Sequence, residues 1–455
     1  MIEGLKPYAE YKASGLPWLS KIPSDWQTVR NGSLFSQRNE TNYPQLPILE
    51  VSLRTGVRVR NFETSNRKQL MSDFSKYKRA ASGDIAYNMM RMWQGAVGVV
   101  PVDGLVSPAY VVARPFQKTN AHYYRTQFRM DLYLGEIDGV SRGIVKDRNR
   151  LYWDQFKQMR SLAPPPDEQA AIVRFLDHAN RKIDGFIRAK RKLIGLLNEQ
   201  KQAIIHRAVT RGLHADVLFK PSGIPGLGDI PAHWETPLNR QLFRENIRQH
   251  NGKTERQLSL SQRDGLIATD DMKERSLQTS SFDNWKVTIP GDLVLNRFKA
   301  HLGVFFASTL RGIVSFHYGV FEPQRSLNTK YFELLCHTAP YKVIYAGRSN
   351  GMTVGLQNLS NQNFYGVRSI VPSLNEQNEI VTYSETATMD LNTAIARTER
   401  EIALMQEYRT RLTADIVTGK LDVREAAARL PDGPVGPTAA ALEDLPESEE
   451  LEEPE

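Results

Sequence analysis

The chain repeats itself at an offset of 208 residues: residues 11–35 read YKASGLPWLSKIPSDWQTVRNGSLF and residues 219–243 read FKPSGIPGLGDIPAHWETPLNRQLF. The offset persists almost to the end. Gly83 and Asp84 recur as Gly291 and Asp292, Asn88 as Asn296, Gly95 as Gly303, and Tyr110 as Tyr318. Ser141 and Gly143 recur as Ser349 and Gly351, Pro164 as Pro372, and Glu168-Gln169 as Glu376-Gln377. Solenoid periods run to roughly 20–50 residues, so a unit this long is a duplicated domain with its connector. The expected plan is pseudo-twofold.

Each copy is long enough to bury its own core. A mean hydropathy of −0.45 and the lack of a long apolar run argue against a membrane span. The start of the chain has no charged-then-apolar pattern of a signal peptide. A single cysteine excludes a disulfide framework and fits a reducing cytoplasm. The net charge of +8 understates the basic character of the folded part. Residues 431–455 carry nine acids and no Lys or Arg; without them 59 basic residues face 42 acidic ones, a net +17. That tail has too little apolar surface to order itself and is expected to be disordered. A strongly basic body points to a polyanionic partner, nucleic acid being the usual one.

Within each copy a mixed segment precedes a long helix. Short β-type runs occur at 84–87, 96–100, 109–113, 293–295, 304–306 and 313–316, punctuated by Gly and Pro. Helical stretches are expected at 121–134 and 329–339. After Pro164, Pro165 and Pro166, with Asp167 as N-cap, residues 168–210 run without proline. Ile172, Leu176, Ala179, Ile183, Phe186, Ile194, Leu197, Ile204 and Ala208 mark a seam at helical spacing. In the second copy Asn375 is the expected cap, and Ile380, Ala387, Leu391, Ile395, Ile402, Met405, Leu412 and Ile416 form the seam. Such helices, about 60 Å long, need a partner, and each other is the obvious one. The expected fold is α+β: two homologous mixed domains separated by two long antiparallel helices. The expected segments are 1–163, a helix at 164–214, 215–371, a helix at 372–421, and an acidic tail at 422–455.

No nucleotide-binding or catalytic motif is present. Thr418-Gly419-Lys420 lacks the glycine of a phosphate loop, and 223–228 is a proline-broken turn. Cys336 aligns with Phe128 and reads as packed apolar. His301 faces Trp93, His317 faces Ala109 and His337 faces Arg129, so no histidine is shared and no metal-type spacing occurs.

The duplication sorts the polar residues. Basic positions shared by both copies cannot distinguish two DNA sequences, so they serve the scaffold or hold phosphates. These are Arg54/Arg263, Lys78/Lys286, Arg91/Lys299 and Arg160/Arg368, with an aromatic pair, Tyr77/Trp285, before the shared lysine. Base reading must lie where the copies differ. One such region follows the shared Asn and offers Trp93 and Gln94 against Arg297 and His301. The other follows the shared Ser-x-Gly and offers Lys146, Arg148 and Asn149 against Gln357 and Asn358. Arg suits guanine, and Asn or Gln suits adenine, in the major groove. Asn88 and Asn296 themselves are expected to hold a turn.

The paired openings at 14–26 (with Trp18 departing) and 222–234, the Gly-Asp-[IL] segments and the P-x-x-x-E-Q helix starts resemble the specificity subunits of Type I restriction-modification systems. The resemblance covers residues 11–421. It implies target recognition domains at 36–160 and 244–368, and spacer helices at 168–211 and 376–418 that set the distance between half-sites. It implies double-stranded DNA as ligand, with two methyltransferase (modification) subunits and restriction/translocase subunits as partners. S-adenosylmethionine, ATP and Mg²⁺ are expected in those partners and no cofactor in this chain. A methylation-only complex, and a coiled-coil scaffold without a DNA role, are the alternatives. The acidic tail lies outside the family pattern.

Overall fold

The central strands of each copy are apolar on both faces because both faces are covered. The computed structural model describes residues 5–61, 74–142, 149–214, 216–246, 248–249, 255–262, 264–272, 282, 284–351 and 357–431. It divides into two compact units, residues 1–190 with 400–455, and residues 191–399.

In unit 1 a four-stranded antiparallel sheet runs in the order Phe35–Arg38, Tyr110–Pro115, Ile85–Asn88, Val97–Val99. Side chains alternate across it. Ile85, Tyr87, Val97, Val111 and Ala113 face the helices Ala121–Phe128 and Asp131–Val140. Ala86 and Val112 face the hairpin Leu49–Ser52/Gly56–Val59 and the strand pair Lys78–Ala80/Gly104–Val106. Gly98 permits that second layer to lie close, since a Cβ there would sit 2.4 Å from the Val57 amide nitrogen.

Unit 2 repeats this order with Phe243–Glu245, Tyr318–Pro323, Leu293–Asn296 and Phe305–Ala307. Its outer layer is the hairpin Leu258–Ser261/Gly265–Ala268 and the pair Lys286–Thr288/Gly312–Val314. The expected helical stretches are each broken in two. In unit 2, Thr338 is extended between Thr329–Cys336 and Ala339–Arg348, and Pro340 opens the second helix, where its missing N–H costs nothing. In unit 1, Met130 is extended in the same way before Asp131.

The two long helices are Pro166–Arg211 and Leu374–Val417. They start slightly before the expected points, so Asp167 and Asn375 lie in the first turn rather than at the cap. Ser373 takes the capping role in the second helix, its Oγ accepting from the Glu376 amide at 3.3 Å. The helices pack antiparallel. In unit 1 Lys190 pairs with Glu401 at 2.7 Å and Arg409 with Asp184; in unit 2 Lys201 donates to Asn392 at 2.7 Å. The seam residues at the domain-proximal ends, such as Ile172, Leu176, Ile380 and Ile416, are buried. The mid-helix positions Ile194, Leu197, Leu391 and Ile395 are only partly so.

The Glu-Gln pair at each helix start is a junction. Glu168 accepts from the Trp26 indole at 2.9 Å and from the Tyr8 hydroxyl. Glu376 accepts from the Trp234 indole at 3.0 Å and lies 3.0 Å from His233 Nε2. Gln169 accepts from the Asn120 amide at 2.9 Å, and Gln377 from the Asn328 amide at 2.9 Å. Asn120 and Asn328 in turn cap the helices that follow them. One dipeptide thus ties the opening motif, the long helix and the domain helix together.

Residues 422–431, grouped above with the tail, are folded. Arg424–Ala428 is a helix, Val423 and Ala427 are buried, and the Asp422 amide donates to the Lys6 carbonyl at 2.8 Å. The physical reason is local: Val423, Ala427 and Leu430 form an apolar stripe that the unit 1 core accepts. The rest of the acidic tail, 432–455, lies outside the described residues.

Candidate nucleic-acid interface

In both units the shared asparagine ends a central strand and its side chain holds the backbone that leads into a 3-10 turn. In unit 2 Asn296 is the N-cap of that turn, whereas in unit 1 Arg91 holds the N-cap position and the Asn88 side chain bonds the residue just before it. Asn88 Oδ1 accepts from the Met90 amide at 2.9 Å, and Asn296 Oδ1 accepts from the amides of Phe298 and Lys299 at 3.0 and 3.3 Å. Met92–Gln94 and Arg297–Leu302 are the turns, closed by Gly95 at φ 91° and Gly303 at φ 78°. A positive φ is where glycine is favoured. The frame is common; the side chains it carries are not.

The second differing region lies beside the first. Arg142 and Arg150 form an antiparallel bridge in unit 1, and Asn350 and Asn358 form its equivalent in unit 2. The Leu151 amide donates to the Met89 carbonyl at 2.9 Å, and the Leu359 amide to the Arg297 carbonyl at 3.0 Å. Each unit therefore brings the first variable region beside the described residues that flank the second, a juxtaposition that the sequence alone does not show.

The individual candidates divide by their partners. Lys78 donates to the Tyr110 carbonyl at 2.8 Å, and burial holds its ammonium below the usual lysine range. Lys286 donates to the Tyr318 carbonyl and to Glu245, both at 2.9 Å. Both shared lysines thus fasten the strand facing the shared asparagine. Arg297 donates to Glu245 at 2.8 Å and to the Leu359 carbonyl at 3.2 Å. Burial alone would raise the Glu245 carboxyl, but Lys286 and Arg297 hold it below the ordinary value. Trp93 donates its indole N–H to the Met90 carbonyl at 3.0 Å and is half-buried. Asn149 donates to Asp138 at 2.9 Å.

More exposed are Gln94, which accepts from Arg91 Nε at 2.9 Å, and Lys299, Arg160, Arg54 and Asn358. Arg368 is exposed while donating to the Thr236 carbonyl at 2.8 Å. His301 and Gln357 are half-buried. Arg263, Lys146 and Arg148 lie outside the described residues.

Unit 2 carries a feature that motif reading passes over. Phe298, Phe316 and His317 are exposed and in ring contact. Comparing copies position by position would find it, since unit 1 has Met90, Pro108 and Ala109 there. Cys336 is buried, and burial pushes its thiol up to about 12, as a packed apolar position requires. Among the described residues, no group of three or more His, Cys, Asp or Glu is placed to hold a metal ion. Nor is any helix long and apolar enough to cross a membrane.

No protein-family model and no curated protein matches the chain. Among solved structures it is similar to a chain from a study of complex assembly and conformational transition in a type I R-M system. That match has a TM-score of 0.58 and 13% identity, over 88% of this chain and 99% of the other. The fold is one found in a type I restriction-modification system. Two further matches are the HsdS subunit from Thermoanaerobacter tengcongensis (16% identity, TM-score 0.42, covering 87% and 96%) and the type I S subunit from M. genitalium (10%, 0.34, covering 86% and 96%). The resemblance carried by the paired opening motifs is therefore met at the level of the fold.

Proposed function

We propose that this chain is the specificity subunit of a type I restriction-modification complex, binding a bipartite, non-palindromic double-stranded DNA target. The observation that carries this reading is the doubled frame. The same sheet, the same asparagine-held turn and the same bridge occur in both units, with different side chains on the differing turns. A shared scaffold with unshared side chains is what reading two different half-sites requires.

Methyl transfer and cleavage are assigned to partner subunits, which would bring S-adenosylmethionine, ATP and Mg²⁺. The long helices support the existence of protein partners. Leu193, Leu196, Tyr383 and Met389 in unit 2, and Leu404 in unit 1, are large apolar side chains left exposed. A run of such residues along paired helices fits docking of modification subunits.

The test is methyl-adenine sequencing of cells with and without this gene, beside its modification gene. A bipartite motif that depends on the gene is expected. Exchanging residues 36–160 for another recognition domain should then change one half-site and leave the other intact. A motif independent of the gene, or a change in both half-sites, would sink the reading.

A further inference from the structure

In unit 2 the His317 ring lies 5.4 Å from the ring of Phe298 and 3.9 Å from that of Phe316. Phe298 is 39% exposed and Phe316 50%, and His317 is exposed as well. Their meeting follows from strand register. Asn296 and Tyr318 are cross-strand partners, so the turn leaving Asn296 and the loop arriving at Tyr318 emerge at one edge of the sheet. The capping bonds from Asn296 and the left-handed Gly303 then fix where Phe298 stands.

The frame does not need these rings. Unit 1 builds it on Asn88 and Tyr110 with Met90, Pro108 and Ala109 in the equivalent places. Exposed phenyl rings cost hydration and are retained where they meet something. The charge around them says what. Residues 297–302 and 315–318 contain no Asp or Glu but include Arg297, Lys299, His301 and His317, and Lys299 is exposed next to Phe298. Arg297 is engaged by Glu245, which leaves Lys299 as the exposed cation beside the ridge, and an apolar ridge beside an exposed cation complements the bases of a polyanionic duplex.

We propose that Phe298, Phe316 and His317 are the specificity-determining ridge of unit 2, reading a thymine-containing step in the major groove. The phenyl rings lie against the thymine C5-methyl groups, and the His317 imidazole hydrogen-bonds an adjacent base edge. Unit 1, lacking the ridge, reads its half-site by other side chains. This inference rests on the DNA-reading function proposed above.

The experiment uses the full chain purified with its modification subunit, on the duplex target found by methyl-adenine sequencing. The half-site of unit 2 is assigned by exchanging residues 244–368. Each thymine in turn is replaced by uracil, which removes only the methyl group. With the wild-type chain, uracil at one position of that half-site is expected to weaken binding about fourfold. The double variant Phe298→Met with His317→Ala carries the residues unit 1 already tolerates. It is expected to lose that response and to methylate a target degenerate at the same position, with the other half-site unchanged. Phe316→Tyr keeps a ring and should keep the target.

A double variant with an unchanged target and an unchanged uracil response overturns the ridge while leaving the specificity-subunit reading standing. So does a unit 2 half-site without thymine. If the double variant folds but no longer co-purifies with the modification subunit, the ridge is a protein-docking surface and the inference falls. The absence of any gene-dependent methylated motif in the wild type would overturn both readings together.

Discussion

Trp26 donates its indole N–H to the Glu168 carboxylate at 2.9 Å, with Trp26 0% and Glu168 3% exposed. The Tyr8 hydroxyl donates to the same carboxylate oxygen. Removing the acceptor leaves two buried donors without a partner, the costly side of hydrogen-bond energetics. Glu168→Ala is expected to destabilise unit 1 by about 3 kcal/mol, and Glu168→Gln by less, since an amide oxygen still accepts. Urea unfolding midpoints check the order; equal midpoints for both variants would remove the junction from the account.

Unit 1 buries polar groups where unit 2 buries hydrocarbon. Gln127 aligns with Leu335 and Tyr124 with Phe332. Gln127 is fully buried, and among the described residues neither atom of its amide, nor the Tyr124 hydroxyl, has a hydrogen-bond partner. Unpaired buried polar atoms cost about 1–3 kcal/mol each. Gln127→Leu is expected to stabilise the chain by an amount of that order, and Tyr124→Phe by about 1 kcal/mol. A lowered denaturation midpoint for Gln127→Leu would count against this.

Acid should weaken unit 2 through His337. Burial pushes its imidazole down to about 4, with Lys342 and Lys330 adding to the effect. An unfolded histidine takes its proton near 6.5 while the folded one remains neutral. The unfolded state therefore binds more protons in that window, and stability falls as pH drops from about 6.5 towards 4. Unit 1 has Arg129 at this position, donating to the Val97 carbonyl at 3.2 Å, so no group titrates there in this window. In His337→Gln the slope of unfolding free energy against pH should flatten over that window; an unchanged slope would exclude His337 as its source.

The two kinds of shared cation should separate in a salt titration. Lys299 is exposed on the Arg297–Leu302 turn, whereas Lys286 is bound to Glu245 and the Tyr318 carbonyl. Lys299→Ala is expected to lower the slope of log affinity against log salt by about 1 with stability unchanged. Lys286→Ala is expected to lower the melting temperature and leave the slope alone. The reverse pattern would exchange their roles.

The duplicated plan is legible in sequence because both copies repeat the same glycines, prolines and Glu-Gln junction at one offset. The edge that carries the candidate residues is only half legible. Position comparison finds the two variable regions, but their adjacency depends on the Leu151–Met89 and Leu359–Arg297 hydrogen bonds, which no periodicity reveals. Whether a shared lysine faces solvent depends on cross-strand register, which places the Tyr110 and Tyr318 carbonyls under Lys78 and Lys286. The offset can also mislead. Asn31 donates to Tyr133 at 3.0 Å, but Asn239 donates to Tyr345 at 3.3 Å, one helical turn beyond the tyrosine that alignment would choose. The packing conserved the contact and changed the residue.

Unit 2 is one uninterrupted stretch, 191–399, whereas unit 1 joins 1–190 to 400–455. During synthesis, unit 2 is complete once residue 399 has left the ribosome. The earlier-made half must wait: Arg424, which lies over the Tyr8 ring, and the Val417 carbonyl that receives the Tyr123 hydroxyl are translated only after unit 2 is complete. Unit 1 is thus completed after unit 2, and a cut between residues 399 and 424 strips unit 1 of residues its own core needs.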